Sequence, residues 1–442
     1  MHGITARGLA ALALAGSGLA QDSLVNDAYA AQVQAAVAKV WPRMERIWPG
    51  TPFGEMYLLL TNGRDYWVIS SGGLEKRPYL EAPERIRVGL DSAFAAATYR
   101  GHPAIAIRQV DVLPNGAVPS VFGFATHEAF HLHVQTGWPV RPSGGNGQRA
   151  LDYPINATPR LYRRLIFEGL LAGLRGEGLG AARYWLERWK REFPAEAQRI
   201  RFADTVEGTA EYAETLAYVY AALGPNPSPE EVRRETLEYV RTTLDRRDRF
   251  AALDSESYPL GALAGLLLDA LRPEWKGALA KDPQPPAEML LGGVEEVQQF
   301  LPQSHWLLSL MALTQRRYAG VMEPFLNAWR DPARVLVALP AGFKGTIVLN
   351  GFVSTAALEG TVMMGLSAQL EWPRGRATLA GLTLSQGPAP PCGAGSQFLV
   401  FPLQSLEYTL SGEIVRVEQA GLRAEFAAVL TEHAGRRYLC AR

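Results

Sequence analysis

The sequence predicts an α+β protein, in which a mostly helical domain with a small N-terminal sheet precedes a β-rich C-terminal module. Three observations predict this class: two strand-like runs early in the chain, long helical stretches in its middle, and short β-prone runs after about residue 334. We expect the first domain over residues 21–330 and the module, of sandwich-like form, over residues 335–442.

The composition is that of a globular protein, and its charge gives no support to a strongly charged partner. The chain has 442 residues, and its 44 basic side chains balance 44 acidic ones, so the formal net charge is zero. A balanced charge gives no support to nucleic acid as a partner. The motifs described below indicate instead that the partner is a peptide or a protein.

The first twenty residues have the pattern of an export signal. Arg7 provides the positive start, Gly8 to Leu19 form a short apolar run, and Ala20 offers a cleavage site before Gln21. We therefore expect residues 1–20 to be a signal peptide and the mature protein to be secreted or periplasmic. No later apolar run is long enough for a transmembrane segment.

The chain has two cysteines, Cys392 and Cys440, both near the C-terminus. Because disulfides form in oxidising compartments, an exported chain predicts that these two side chains pair. Neither cysteine is near the histidines described below, which argues against a cysteine-based metal site.

The elements of the first domain follow from turn residues and hydrophobic periodicity. The runs MYLLLT (56–61) and PAIAIRQVDVLPNG (103–116) are typical of strands. Helices are then predicted over residues 120–136, 158–175, 180–193, 195–223, 228–249, 259–272 and 304–328.

The C-terminal module is predicted from short apolar runs that Gly, Pro and Ser separate. These runs are RVLVALP, GTIVLNGF, ATLAGLTLS, QFLVFPL and EIVRVEQ. Their length and their turn-rich spacing indicate several short antiparallel strands.

The stretch HEAFH, residues 127–131, places three reactive side chains on one predicted helix. Because an α-helix turns by roughly 100° per residue, His127 and His131 lie roughly 40° apart on one face and can bind the same small cation. Glu128 lies at the edge of that face, where it can accept a proton from water without being a ligand. The H-E-x-x-H pattern thus predicts two metal ligands and a general base. His133 points away from this face and is expected to be an exposed or core-edge residue.

A third ligand must come from elsewhere, because a catalytic zinc usually has three protein ligands and one water molecule. The stretch DTVEGTAEYAETLAYVY supplies Glu207, Glu211 and Glu214 on one face of a largely apolar helix. Burying such a face without a cation would be costly, because like charges one turn apart repel each other. Glu168, in RRLIFEGLLAGL, is an alternative ligand, although the two preceding arginines offer it an ion pair.

The motifs HEAFH and VEGTAEY together resemble the gluzincin metallopeptidases, the group of the thermolysin-like enzymes and the zinc aminopeptidases. In this resemblance Val206 stands where the group usually has asparagine. The resemblance implies a zincin-like catalytic domain that binds one Zn²⁺ through His127, His131 and Glu207. It further implies that Glu211, one turn beyond Glu207, accepts the free N–H of a ligand histidine, expected to be His131.

The expected reaction is hydrolysis of a peptide bond, with Glu128 taking a proton from the attacking water. The oxyanion that develops needs a further donor. Tyr258, Tyr212 and His305 are the candidates, and Tyr258 is preferred because it precedes an apolar helix. The strand PAIAIRQVDV is expected to bind an extended peptide at a sheet edge.

These observations predict an exported zinc metallopeptidase. The alternative is a non-catalytic envelope or surface binding protein with a structural zinc site. A structural zinc is usually closed by four ligands, often cysteines. The distance of both cysteines from the motif, and the presence of Glu128, favour the enzyme.

Overall fold

The structure is a computed structural model. It describes residues 25–87, 92–110, 118–139, 151–224, 226–250, 253–341, 343–393, 397–403 and 407–442. The expected signal peptide, residues 1–20, and the end of the second strand-like run, residues 111–116, lie outside the described residues. The described chain forms two compact units, and each unit is treated separately below.

The first unit contains the described residues between 25 and 139 and between 157 and 310. Its sheet has five strands: β1 (Tyr57–Thr61), β2 (Tyr66–Ser70), β3 (Gly73–Arg77), β4 (Ser92–Tyr99) and β5 (His102–Gln109). Their order is β3-β2-β1-β5-β4, in which β1 and β5 run parallel and the other neighbours run antiparallel. This small N-terminal sheet is the one that the sequence predicts.

The edge of this sheet is not formed by the strand expected there. The run PAIAIRQ forms β5, which lies between β1 and β4, and β4 is the edge strand on this side of the sheet. The middle of β5 is buried on both faces, which explains its continuous apolar run. The alanine-rich strand β4 escapes sequence reasoning because alanine has little strand preference, so that pairing with β5 decides its conformation.

Eleven α-helices occur in the described chain. Their bounds are α1 (Asp27–Val40), α2 (Glu84–Arg87), α3 (Ser120–His133), α4 (Ala157–Leu174), α5 (Gly180–Glu192), α6 (Pro194–Ala222), α7 (Pro229–Tyr239), α8 (Leu253–Leu271), α9 (Trp275–Lys281), α10 (Pro286–Leu291) and α11 (His305–Arg330). The last helix begins in this unit and ends in the second one, since the division falls after residue 310.

Helices α6 and α8 pack with their backbones in contact. A Cβ atom added to Gly261 would lie 2.1 Å from the Cα atom of Gly208, so neither position accommodates a side chain without separating the helices. Helix α8 also begins six residues before the predicted start, and Pro259 lies inside it. The close packing of α8 on α6 brings Tyr258 to the site described below.

A buried ion-pair network joins α4, α6 and α8. Arg160 contacts Glu196 and Glu256, while Arg163 pairs with Glu256 at 2.6 Å and with Asp204 at 2.6 Å. Both arginines and Glu256 are fully buried. Two guanidinium groups thus face three carboxyl groups, and one bound proton makes the network neutral. Burial raises the pKa of Glu256 to about 8, even though the two arginines favour its ionised form.

The network predicts a dependence of stability on pH. Because the pKa of Glu256 is higher in the folded than in the unfolded chain, its contribution is complete below the ordinary pKa of glutamate and is lost as the pH rises through about 8. We expect the free energy of unfolding to fall more steeply between pH 5 and 9 in the wild type than in Glu256→Gln, whose amide does not titrate. The difference should be on the order of several kcal/mol, since one pKa unit corresponds to about 1.4 kcal/mol. Parallel denaturation curves of both proteins at all pH values would contradict this assignment.

The second unit contains residues 151–156 and 311–442, apart from the undescribed positions. Its strands are β6 (Leu151–Tyr153), β7 (Val335–Pro340), β8 (Phe343–Val348), β9 (Gly351–Thr355), β10 (Thr361–Trp372), β11 (Gly375–Pro388), β12 (Gln397–Leu403), β13 (Tyr408–Ser411), β14 (Ile414–Gln419), β15 (Leu422–His433) and β16 (Arg436–Ala441). They form one continuous sheet in which β15, β16, β7, β12 and β11 close on themselves, instead of the two sheets of a sandwich.

The expected division of the chain near residue 330 differs from this arrangement in two places. Strand β6 pairs in parallel with β9, and the second part of α11 belongs to the same unit. Neither feature is visible in local sequence, because β6 lies nearly 200 residues before its partner. The α+β class itself is confirmed.

The predicted disulfide is confirmed. Cys392 and Cys440 are bonded, which ties the turn Pro390–Cys392 to strand β16. Among the described helices, none combines the length and the apolar character that crossing a membrane requires.

Candidate metal centre

The HEAFH motif lies on α3, as the sequence predicts. The helix begins directly after Pro119 and ends at His133, where a 3-10 turn, Gln135–Gly137, replaces the last predicted turn. The Nε1 atom of Trp41 donates a hydrogen bond of 3.0 Å to the Thr126 hydroxyl, which fixes the helix from its buried side. His127 and Glu128 are 0% and 1% exposed, so the motif faces the interior.

Two histidine nitrogens and one carboxylate oxygen converge between α3 and α6. Oε2 of Glu207 lies 3.3 Å from Nε2 of His127 and 3.3 Å from Nε2 of His131. Among the described residues, the buried Nε2 atom of His131 has no hydrogen-bond partner. Buried polar atoms are seldom left without a partner, and a cation bound here would contact all three ligand atoms. This group could therefore hold a metal ion.

The opposite nitrogen of His127 faces two further carboxylates of α6. Oε2 of Glu214 lies 3.0 Å from Nδ1 of His127, and Oε2 of Glu211 lies 3.9 Å from it. The other oxygen of Glu211, Oε1, lies 3.3 Å from Nη1 of Arg249. Glu211 thus lies on the side of His127, whereas the sequence predicted a contact with His131.

Glu214 is accommodated by a glycine of the facing helix. A Cβ atom added to Gly123, one turn before His127 in α3, would lie 2.9 Å from Oε1 of Glu214. The missing side chain leaves the space in which the carboxylate approaches the imidazole. Helical periodicity predicts that Glu214 shares a face of α6 with Glu207 and Glu211, but it does not predict the contact with His127. The distance between Glu214 and His127 depends on how α3 packs against α6.

The Nδ1 atom of His131 has a partner that sequence reasoning missed. It lies 2.6 Å from Oε1 of Gln135, while Nε2 of Gln135 donates to the carbonyl oxygen of Val206 and to the Thr209 hydroxyl, both at 2.7 Å. The spacing of four residues between His131 and Gln135 is a signal that could have suggested this pair.

The three candidate oxyanion donors have different surroundings. The ring of Tyr258 stacks on His127, with centroids 5.5 Å apart and planes inclined by 24°. Tyr212 is fully buried and donates its hydroxyl hydrogen bond to Asp269 at 2.6 Å, which engages it elsewhere. His305 is exposed at the first position of α11. The structure therefore brings only Tyr258 of these three to the histidines.

Two further residues considered in the sequence lie outside this group of ligand atoms. Glu168 forms an ion pair of 2.8 Å with Arg164, and its side chain is 46% exposed. His133 is half-buried, and burial lowers its pKa below the usual value. Two groups of the described residues could hold a metal ion, and neither includes these two side chains: His127, His131 and Glu207 form one group, and His127, Glu211 and Glu214 form the other.

The two carboxylates near His127 predict unequal effects on metal binding. We expect Glu214→Leu to weaken metal affinity by about 10- to 100-fold, because it removes the acceptor of the Nδ1–H of His127. Glu211→Gln should change affinity less and should lower stability, because it leaves Arg249 without its carboxylate. Competition with a chelator and thermal unfolding would measure both effects. Two metal equivalents per wild-type chain would contradict this assignment, since His127, Glu211 and Glu214 would then bind a second ion.

Comparisons of the chain with protein families, with curated proteins and with solved structures found no match. The function is therefore inferred from the residues of the site and their geometry.

Proposed function

We propose that the protein is an exported zinc metallopeptidase in which His127, His131 and Glu207 bind Zn²⁺. The observation that carries the proposal is the convergence of three ligand atoms on one side of the helix that also carries Glu128. Glu128 is the general base in this proposal.

The donor set favours zinc over other common metal ions. Zinc accepts imidazole nitrogen and carboxylate oxygen, whereas Mg²⁺ and Ca²⁺ prefer sites made of oxygen alone. Zinc bonds of about 2.0–2.1 Å at tetrahedral angles separate two ligand atoms by about 3.3–3.4 Å. The observed separations of 3.3 Å between Glu207 and each histidine nitrogen agree with this value. Three protein ligands are typical of catalytic zinc, and structural zinc usually has four.

Each residue of the site has a separate role in the proposed reaction. Zinc bound here would polarise a carbonyl oxygen and lower the pKa of a water molecule. Glu128 takes a proton from the attacking water and transfers it to the nitrogen of the leaving amine. Helix α3 holds Glu128 in a constant position relative to both histidines, because all three belong to consecutive turns. Tyr258, which stacks on His127, is the candidate donor to the oxyanion.

Strand β4 supports a peptide as the substrate. It is one of the two edge strands of the five-stranded sheet, and Phe94 of β4 contacts Phe124 of α3 with ring centroids 5.6 Å apart. An extended peptide can pair with an edge strand through backbone hydrogen bonds, which are largely independent of sequence. The sequence predicted that β5 pairs with the peptide, and we now propose the neighbouring strand β4 for this pairing.

Export is supported by two features that are independent of the metal centre. The first twenty residues have the pattern of a signal peptide, and the bond between Cys392 and Cys440 is typical of oxidising compartments. Both agree with a secreted or periplasmic enzyme.

The proposal is tested with the purified protein, by metal analysis and by cleavage of a mixed peptide library. We expect about one equivalent of zinc per chain and cleavage that a chelator abolishes and added Zn²⁺ restores. Bound zinc without cleavage of any peptide would favour the alternative, a non-catalytic binding protein with a structural zinc. A protein that binds no zinc would exclude both.

A further inference from the structure

Gln135 contacts three groups through one buried side-chain amide. Its Oε1 atom lies 2.6 Å from Nδ1 of His131, and its Nε2 atom lies 2.7 Å from the Val206 carbonyl oxygen and 2.7 Å from the Thr209 hydroxyl. The residue is 7% exposed and follows α3 in the 3-10 turn Gln135–Gly137.

The partners determine which way the amide of Gln135 faces. A carbonyl oxygen can only accept a hydrogen bond, so the group that faces Val206 must be the amide NH₂. The hydroxyl of Thr209 donates to the Thr205 carbonyl oxygen at 2.8 Å, so it too accepts from Gln135. Two acceptors on one side therefore place the NH₂ group there and leave the Oε1 atom toward His131.

The orientation of the amide in turn determines the state of the imidazole. Because Oε1 of Gln135 carries no hydrogen, the hydrogen of this contact must belong to Nδ1 of His131. In a neutral imidazole with Nδ1 protonated, Nε2 holds the lone pair. That nitrogen is the one that lies 3.3 Å from Oε2 of Glu207.

We propose that Gln135 is a positioning residue that holds His131 in the Nδ1–H tautomer, with Nε2 ready to bind a metal ion, before any metal arrives. Val206 and Thr209 lie on either side of Glu207 in α6. The same amide therefore also links the imidazole of His131 to the helical turn that carries the carboxylate ligand. The inference rests on the metal site of the proposed function and does not require peptidase activity.

The test uses the metal-free full-length protein labelled with ¹⁵N in its histidines, at a pH of about 8.5, where an ordinary imidazole is neutral. Long-range ¹H–¹⁵N spectra distinguish protonated from unprotonated ring nitrogens, and a His131→Gln variant identifies the signals of His131. Zinc affinity is measured separately by competition with a chelator. Neither measurement depends on turnover.

Three variants separate the role of Gln135 from a packing role. Gln135→Met has a similar volume and removes both the acceptor and the NH₂ donor. Gln135→Glu keeps an acceptor for Nδ1–H and loses the NH₂ donor that faces Val206 and Thr209. Gln299→Met makes the same change at a partly buried glutamine outside the site, whose amide donates to the Val297 carbonyl oxygen.

We expect the wild type and Gln135→Glu to show His131 protonated at Nδ1, as should Gln299→Met. Gln135→Met should populate the Nε2–H tautomer and bind zinc about 10- to 100-fold more weakly. A wild-type His131 protonated at Nε2 would overturn the proposal even if no variant folds, as would a Gln135→Met protein with unchanged tautomer and affinity. A wild type that binds no zinc would refute the proposed metal site and leave the tautomer result standing. A zinc-binding protein without peptidase activity would refute only the reaction.

Discussion

Glu207→Ala is expected to remove zinc from the purified protein. The substitution deletes one of three converging ligand atoms, so the loss of affinity should exceed the 10- to 100-fold typical of a lost supporting hydrogen bond. Elemental analysis after gel filtration, followed by competition with a chelator, measures the effect. Circular dichroism establishes that the variant is folded.

The matched control for Glu207→Ala is Glu168→Ala, which changes the alternative ligand considered from the sequence. Glu168 pairs with Arg164 and its side chain is 46% exposed, so its loss should leave zinc binding unchanged and cost at most about 1 kcal/mol of stability. Zinc retained by Glu207→Ala and lost by Glu168→Ala would reverse the assignment of the third ligand.

Glu128→Gln is expected to abolish most peptide hydrolysis while zinc stays near one equivalent. The amide keeps the size of the side chain but cannot accept the proton of the attacking water, and general-base catalysis typically contributes about 10²- to 10⁴-fold. Single-turnover rates on a peptide identified in the library measure the loss, and metal analysis of the same sample shows whether the site is intact.

Glu168→Gln is the control for the same chemical change outside the site, and it should retain full activity. An active Glu128→Gln protein would show that another group accepts the proton. An inactive variant that has also lost its zinc would show that Glu128 supports the metal ligands instead.

Some features of the protein can be predicted from the sequence because they depend on residues that are close together in the chain. His127, Glu128 and His131 share one helix, and helical periodicity alone places the two imidazoles on one face. The α+β class follows from the change of hydrophobic period along the chain. The disulfide followed from an even simpler fact, since a chain with two cysteines has one way to pair them within itself.

The tertiary structure decided which of several equivalent side chains reach the histidines. Glu168 and Glu207 each precede a glycine in a helix, yet only Glu207 lies beside the imidazoles. Likewise, Glu211 and Glu214 share a face of α6, and the space left by Gly123 selects Glu214 for the closer contact with His127.

Tertiary packing also determines which strands pair and where the side chain of Gln135 lies. Strand β4 lies at a sheet edge because it pairs with β5, and β6 joins the second sheet because it pairs with β9. Local strand propensity does not predict which segments pair. Gln135 approaches His131 only because α3 ends at His133 and the following turn packs against Val206 and Thr209. Helical periodicity determines which residues share a face, but the approach and rotation of neighbouring helices determine the atoms that meet there.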